Sequence, residues 1–269
     1  MDTRTARAEE TRIAHEPTAR GAGADERATT RPLARLGAVA ALGGALLLFA
    51  STLLHPLGSD PSVPRAAFAE YAADPFWVWS HLGQFLGIGA LAIALVALAA
   101  TLEPGRAAAW ARVGLVGAAV TIAVAAALQA VDGVALKVVV DRWAASTGEA
   151  RALAYEGAFA VRQIEIGLAS LLGLVSGSTL AIFGVAIFLS ARYPAWLGGI
   201  GLLGGVGMAA AGTAQASTGF SGPAMTLSML SSSVLLVWAV LCGLLMWRLA
   251  PRLSDDGDAV SRRLAEKLR

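Results

Sequence analysis

The sequence is poor in the residues that usually announce a chemistry. It has one cysteine and three histidines in 269 residues. Cys242 cannot form an intrachain disulfide and, set in an apolar run, reads as a small buried hydrophobe. Charge is scarce too: 15% of residues are charged and 56% hydrophobic, against about 25% charged in soluble domains. That shortage excludes an ordinary soluble globular domain. The net charge of +2 is small. Its cations are scattered over short loops and the two tails, with no basic stripe interleaved with aromatics, so nucleic acid is not an expected partner. There is no HExxH, no P-loop and no dinucleotide fingerprint. A cleavable signal peptide is not evident either. The first apolar run starts only after residue 33 and is long enough to span, so it reads as a retained helix.

What the chain does have is six apolar runs, at about 34–54, 80–101, 109–131, 164–189, 195–216 and 226–248. Each is near the roughly 20 residues that cross a bilayer. The runs do not alternate, which favours helices over a barrel. The expected fold is all-α, a six-transmembrane-helix bundle over residues 34–250. Residues 1–33 lack apolar periodicity and are expected to form a disordered tail. In the tail 251–269, Val260, Leu264 and Leu268 recur among basic residues, which predicts a short basic amphipathic helix on an anionic leaflet. The odd-numbered spans begin alike, at Ala34-Arg35-Leu36-Gly37, Ala111-Arg112-Val113-Gly114 and Ala195-Trp196-Leu197-Gly198. That spacing suggests three parallel two-helix hairpin repeats. Gly83-xxx-Gly87, Gly173-xxx-Gly177 and Gly201-xxx-Gly205 predict close helix approach, within the bundle or in a homo-oligomer or membrane-protein partnership.

Basic residues set the orientation. Arg31, Arg35, Arg106, Arg112, Arg192, Arg248 and Arg252 fall on one side with few acids beside them. Both termini are therefore expected in the cytoplasm of a bacterial plasma membrane, with the bilayer as the first partner. On the outer side, Pro64 starts a predicted short helix, capped by Ser62-Val63. Phe76, Trp77 and Trp79 read as an aromatic belt. Helical composition continues past span three to Ala145, so that helix either kinks near Gly133 or protrudes and turns at Ser146-Thr147-Gly148.

The strongly polar residues near the spans gather toward the outer side. His81 and Gln84 share one helix face, Gln129 and Asp132 another, and Glu165 completes a candidate ligand pocket at the outer mouth. Lys137 with Asp141, and Arg162 with Glu165, have the spacing of helix-surface ion pairs. They predict a salt-bridge clasp between spans three and four, with a proton or ligand site as the alternative. His55 and His81 close and open adjacent spans at one depth, where two imidazoles are candidate ligands to a metal or to haem iron. Gly219-Phe220-Ser221-Gly222 matches the GxSG of intramembrane serine proteases, but no histidine follows it, and a turn fits better.

Taken together, His55-Pro56, Trp79-Ser80-His81 with Gln84, and Asp132-Gly133-Val134-Ala135-Leu136-Lys137 followed by Asp141 and Trp143 carry a resemblance. Arg162 and Glu165, Tyr193-Pro194-Ala195-Trp196-Leu197-Gly198, and Gly219-Phe220-Ser221 add to it. Over about residues 33–250 the chain resembles a family of bacterial multi-pass membrane proteins of actinobacterial type. The resemblance implies six helices and no assigned activity. The expected function is a non-enzymatic ligand-binding, sensor or accessory membrane protein. The alternatives are a haem- or metal-binding redox protein and a small-solute transporter. The last is opposed by the apolar inner halves of the spans.

Overall fold

The computed structural model describes residues 30–56 and 58–251. Six helices are long and apolar enough to cross a membrane, and no strand occurs among the described residues. The chain is an all-α bundle. The helices are α1 (Thr30–Leu53), the short α2 (Pro64–Ala73), α3 (Trp77–Thr101) and α4 (Arg106–Gln129). A π-helical stretch, Ala130–Leu136, leads from α4 directly into α5 (Lys137–Ala145). Then come α6 (Gly148–Phe188), α7 (Ala195–Thr218) and α8 (Gly222–Leu249). The tail expected to hold a basic amphipathic helix lies outside the described residues, as does most of the N-terminal tail.

Small residues decide how the helices neighbour each other. A Cβ on Gly177 would run into the backbone of Ala209 and Gly205, and one on Gly205 into Ala181 and Gly177. Backbone therefore meets backbone between α6 and α7, the most extensive helix pair. Without a hydrophobic drive inside lipid, such close van der Waals contact is what holds helices together. Gly44 and Gly87 bring α1 against α3, and Gly243 brings α8 against Ala41 of α1. With α3 on α4, α4 on α6 and α7 on α8, the six helices close into a ring. All three glycine patterns singled out in the sequence face other helices of the same chain.

Two helices overrun the membrane. The α4–α5 helix has 40 residues and α6 has 41. At about 1.5 Å per residue each is roughly 60 Å long, about twice the ~30 Å hydrocarbon core. The third span therefore protrudes, turns at Ser146–Thr147 with Gly148 at φ +57°, and returns. The protruding parts build a second, smaller core with α2, in which Phe68, Tyr71, Trp77, Leu136, Val140 and Trp143 are buried together.

Three local expectations need correction. No side chain caps α2, whose first helical residue follows Val63; the Ser62 hydroxyl turns to Asp60 instead. Proline, pre-set to a helical φ, is enough to start that turn. Trp77 does not belong to a surface belt: it is 1% exposed, whereas Trp79 and Phe76 are 68% and 54% exposed. Finally, no clasp forms directly between spans three and four. Lys137 pairs with Asp141 at 2.7 Å and Arg162 with Glu165 at 3.6 Å, each within its own helix. Both cations then reach to the α2 region instead of to the other helix's carboxylate.

Candidate functional site

The π-helical stretch sits where the ring of spans meets the protruding core. A widened turn of this kind disturbs the α-helical hydrogen-bond ladder and is frequent at functional sites. Here the Asp132 carbonyl accepts a hydrogen bond from the Trp77 indole Nε1 at 2.9 Å. Gly133, lacking a side chain, lets His81 pack directly on the widened turn; a Cβ there would collide with the His81 Cβ and ring.

His81 is 2% exposed. Its Nδ1 lies 2.6 Å from the Trp77 carbonyl. A carbonyl only accepts, so Nδ1 carries the hydrogen and donates it. Nε2 is then the position where the ring takes up or releases a second proton. It faces Asp132 Oδ2 at 3.0 Å, an ion-pair distance without hydrogen-bond alignment. Gln129 Nε2 donates to Gln84 Oε1 at 3.3 Å, tying α4 to α3 one turn further into the membrane. Glu165 is 4% exposed and feels the charges of Asp132 and Arg162. The structure thus brings His81, Gln84, Gln129, Asp132 and Glu165 to one end of the ring. Gln129 Oε1, Asp132 Oδ1 and Glu165 Oε2 are buried there with no hydrogen-bond partner.

Arg162 closes this end from above. It is 1% exposed. Its guanidinium donates to the Pro61 carbonyl at 2.6 Å and the Tyr71 hydroxyl at 3.2 Å, and lies 5.0 Å from the Phe220 ring. One side chain of α6 therefore fastens the loop before α2, α2 itself and the α7–α8 turn. Burial holds the Tyr71 phenol above its usual range despite Arg162, so it stays protonated. Lys137 Nζ donates to the Tyr71 and Ala72 carbonyls, capping the last turn of α2.

His55 and His81 do come together, with ring centroids 5.1 Å apart and Trp77 against both. His55 Nδ1 faces its neighbour's carbonyl, Pro56 O, at 3.0 Å. Among the described residues no three His, Cys, Asp or Glu side chains gather as a metal-ligating set. The Ser221 hydroxyl meets that of Thr218, at 2.8 Å, within the α7–α8 turn.

Below the polar end lies a feature that the sequence reading missed: a chamber of about 440 Å³ lined by all six spans. Its walls are mostly Leu, Ile, Ala and Met, with Gln84, Gln215 and Phe220 also in the lining. Water gains nothing from an apolar void. The signal for it was in the spacing. Met225, Ser228, Ser232, Leu235, Ala239, Cys242 and Met246 alternate by three and four and line the chamber. Trp77 and Tyr71 were missed as well, though Trp77 stands four residues before His81 on the same face.

The architecture is that of an integral membrane protein, with six candidate spans and a buried polar group at one end of the ring. Comparison with protein-family models, curated proteins and solved structures finds no match to this chain.

Proposed function

We propose that the chain is a non-enzymatic ligand-binding protein of a bacterial plasma membrane, acting as a sensor or accessory subunit. Its site is the group His81, Gln84, Gln129, Asp132 and Glu165, facing away from the cytoplasm by the distribution of arginines. The observation that carries this reading is the set of three buried oxygens without a hydrogen bond, on Gln129, Asp132 and Glu165, the last holding only the Arg162 ion pair at 3.6 Å. Each such group destabilises a fold by about 1–3 kcal/mol, and whole folds are stable by only about 5–15 kcal/mol. A ligand that brings hydrogen-bond donors, an ammonium or hydroxyls, satisfies all three. The open oxygens outnumber the one open nitrogen, His81 Nε2, which already faces Asp132, so an anionic ligand is disfavoured.

The test uses ethanolamine, which carries both donor types, titrated into the detergent-purified full chain with melting temperature as readout. The expected result is a saturable rise that acetate does not reproduce. Asp132→Asn and Glu165→Gln are expected to fold and to lose the rise. A rise of equal size in both variants, or none in the wild type, sinks the reading.

The close His55–His81 pair supports a second reading, metal or haem ligation. An absorption spectrum with elemental analysis of the purified protein separates the two. A Soret band or stoichiometric metal that disappears in His55→Ala favours the second.

A further inference from the structure

We propose that the chamber holds the apolar chain of a single-chain amphiphile whose donor-bearing head, an ammonium or hydroxyl, sits among Gln84, Gln129, Asp132 and Glu165. This rests on the ligand-binding reading above and names the class of its ligand.

Continuity is the first argument. The polar residues prolong the helix stripes that line the chamber. On α3, His81 and Gln84 stand in register above Ile88, Leu91, Leu95 and Leu98. On α6, Glu165 stands one turn above Ala169 and two above Leu172, both in the chamber wall. Asp132, in the π-helical stretch, follows Leu128 of α4 by four residues. Gln84 belongs to both regions: it lines the chamber and accepts from Gln129.

Chemistry is the second. All but one of the chamber's hydroxyls are turned back on their own helices. Thr52, Thr121, Ser176 and Thr179 each donate to the carbonyl four residues earlier, and Ser232 to Met229, while Ser228 faces the Met208 sulfur at 4.0 Å. Ser228 alone keeps a weakly held donor, so the wall behaves largely as hydrocarbon and a polar solute has no continuous path along it. Polarity returns at the α2 end, where Gln84, Gln215 and the Phe220 ring beneath Arg162 join the lining. An apolar well with a polar group at one end matches an amphiphile, and the orphaned acceptors select its head. Size is the third argument: about 440 Å³ sits in the lower part of the ~300–1,000 Å³ range of small-molecule sites, which suits one chain rather than two.

The experiment places the full chain in phospholipid nanodiscs with dodecylamine bearing a diazirine in its chain. Dodecanoate carrying the same diazirine is the control. After photolysis, labelled residues are mapped by mass spectrometry. The expected result is amine labelling of the chamber residues Leu172, Leu235 and Cys242 in excess of the outward Leu203 and Val206, with no such excess for dodecanoate. Ser176→Phe and, as an independent plug, Ala92→Phe are expected to abolish inner labelling while the ethanolamine response remains. Equal labelling inside and outside overturns the proposal, as does inner labelling by both probes alike. An ethanolamine response without inner labelling overturns the chamber assignment and leaves the polar site standing; loss of both overturns both. Solvent extraction of the purified protein distinguishes the sources. A resident long-chain amphiphile supports a membrane lipid, and an empty chamber that takes up added dodecylamine supports a free one.

Discussion

The two ends of this bundle both bury polar side chains, and they treat them differently. At the end away from α2, every bond closes. Thr101 donates to Leu98 and meets the Tyr193 hydroxyl at 2.5 Å, and the Arg192 guanidinium donates to the Thr101 carbonyl at 2.7 Å. Ser190 donates to Glu103 at 2.6 Å, with Arg192 a further 4.0 Å from that carboxylate. At the α2 end, six buried polar atoms lack a hydrogen bond: on Asp74, His81, Gln129, Asp132, Trp143 and Glu165. These are all such atoms among the described residues. A fastener satisfies its own groups because unsatisfied ones are destabilising. A binding site keeps some open for what it binds, and departures from local consistency concentrate at functional places. One end joins the loops α3–α4 and α6–α7; the other carries the proposed site.

The largest effect should come from breaking the buried end at its hub. Arg162→Leu removes the donors to Pro61 and Tyr71 and leaves buried Glu165 without its cation. The expected loss is about 3–5 kcal/mol, read from unfolding in mixed micelles. Arg192→Leu removes the donor to the Thr101 carbonyl and a 4.0 Å ion pair, but at 35% side-chain exposure water can replace them, so about 1 kcal/mol should go. The double variant Arg162→Leu/Glu165→Leu should recover part of the first loss. Equal losses at the two arginines would erase the distinction between the ends.

Next in size is Gly133→Ala. The added methyl collides with His81, so the ring must leave Asp132 or the widened turn must shift. Overpacking of this kind costs about 1–3 kcal/mol, and the ethanolamine response should vanish with it. Its counterpart is Tyr193→Phe, which deletes one hydrogen bond to Thr101. About 1 kcal/mol of stability should go, with the ethanolamine response intact. Burial pushes the Tyr193 phenol above its usual range, so no ionisation of this group enters at ordinary pH. A Tyr193→Phe variant that lost ligand response would mean the closed end is also part of the site.

Much of this arrangement was legible beforehand. Span number follows from runs of about 20 apolar residues, and the glycine pairs announced close helix contacts. His81, Gln84, Gln129, Asp132 and Glu165 stood out because polar residues are rare in such runs. What stayed hidden was relational. Nothing in the string shows that Trp77 turns inward while Trp79, two residues on, faces out; that depends on which face α3 presents to the π-helical turn. Nor does Arg162 announce its targets, since Pro61 and Tyr71 lie about a hundred residues away in sequence. The chamber escaped because a three-and-four stripe of small and apolar residues reads equally as a packed seam. Only the closing of six helices into a ring leaves space in front of it.

The smallest expected effect sharpens the comparison at its edge, where His55 joins the polar end from outside the spans. Burial, and then the facing His81, push its imidazole below the ordinary value of 6.5, while the Pro56 carbonyl, Asp132 and Asp74 act in the opposite sense. The folded protein therefore binds this proton more weakly than the unfolded chain does. Stability from this source is complete above the unfolded value and is lost as pH falls through the lowered folded one. On acidification from about pH 7.5 to about 5, across the range where histidine titrates, the wild type should lose more melting temperature than His55→Gln. Parallel curves would show that His55 titrates as it does in the unfolded chain, and its packing against Trp77 and His81 would then be incidental to the site.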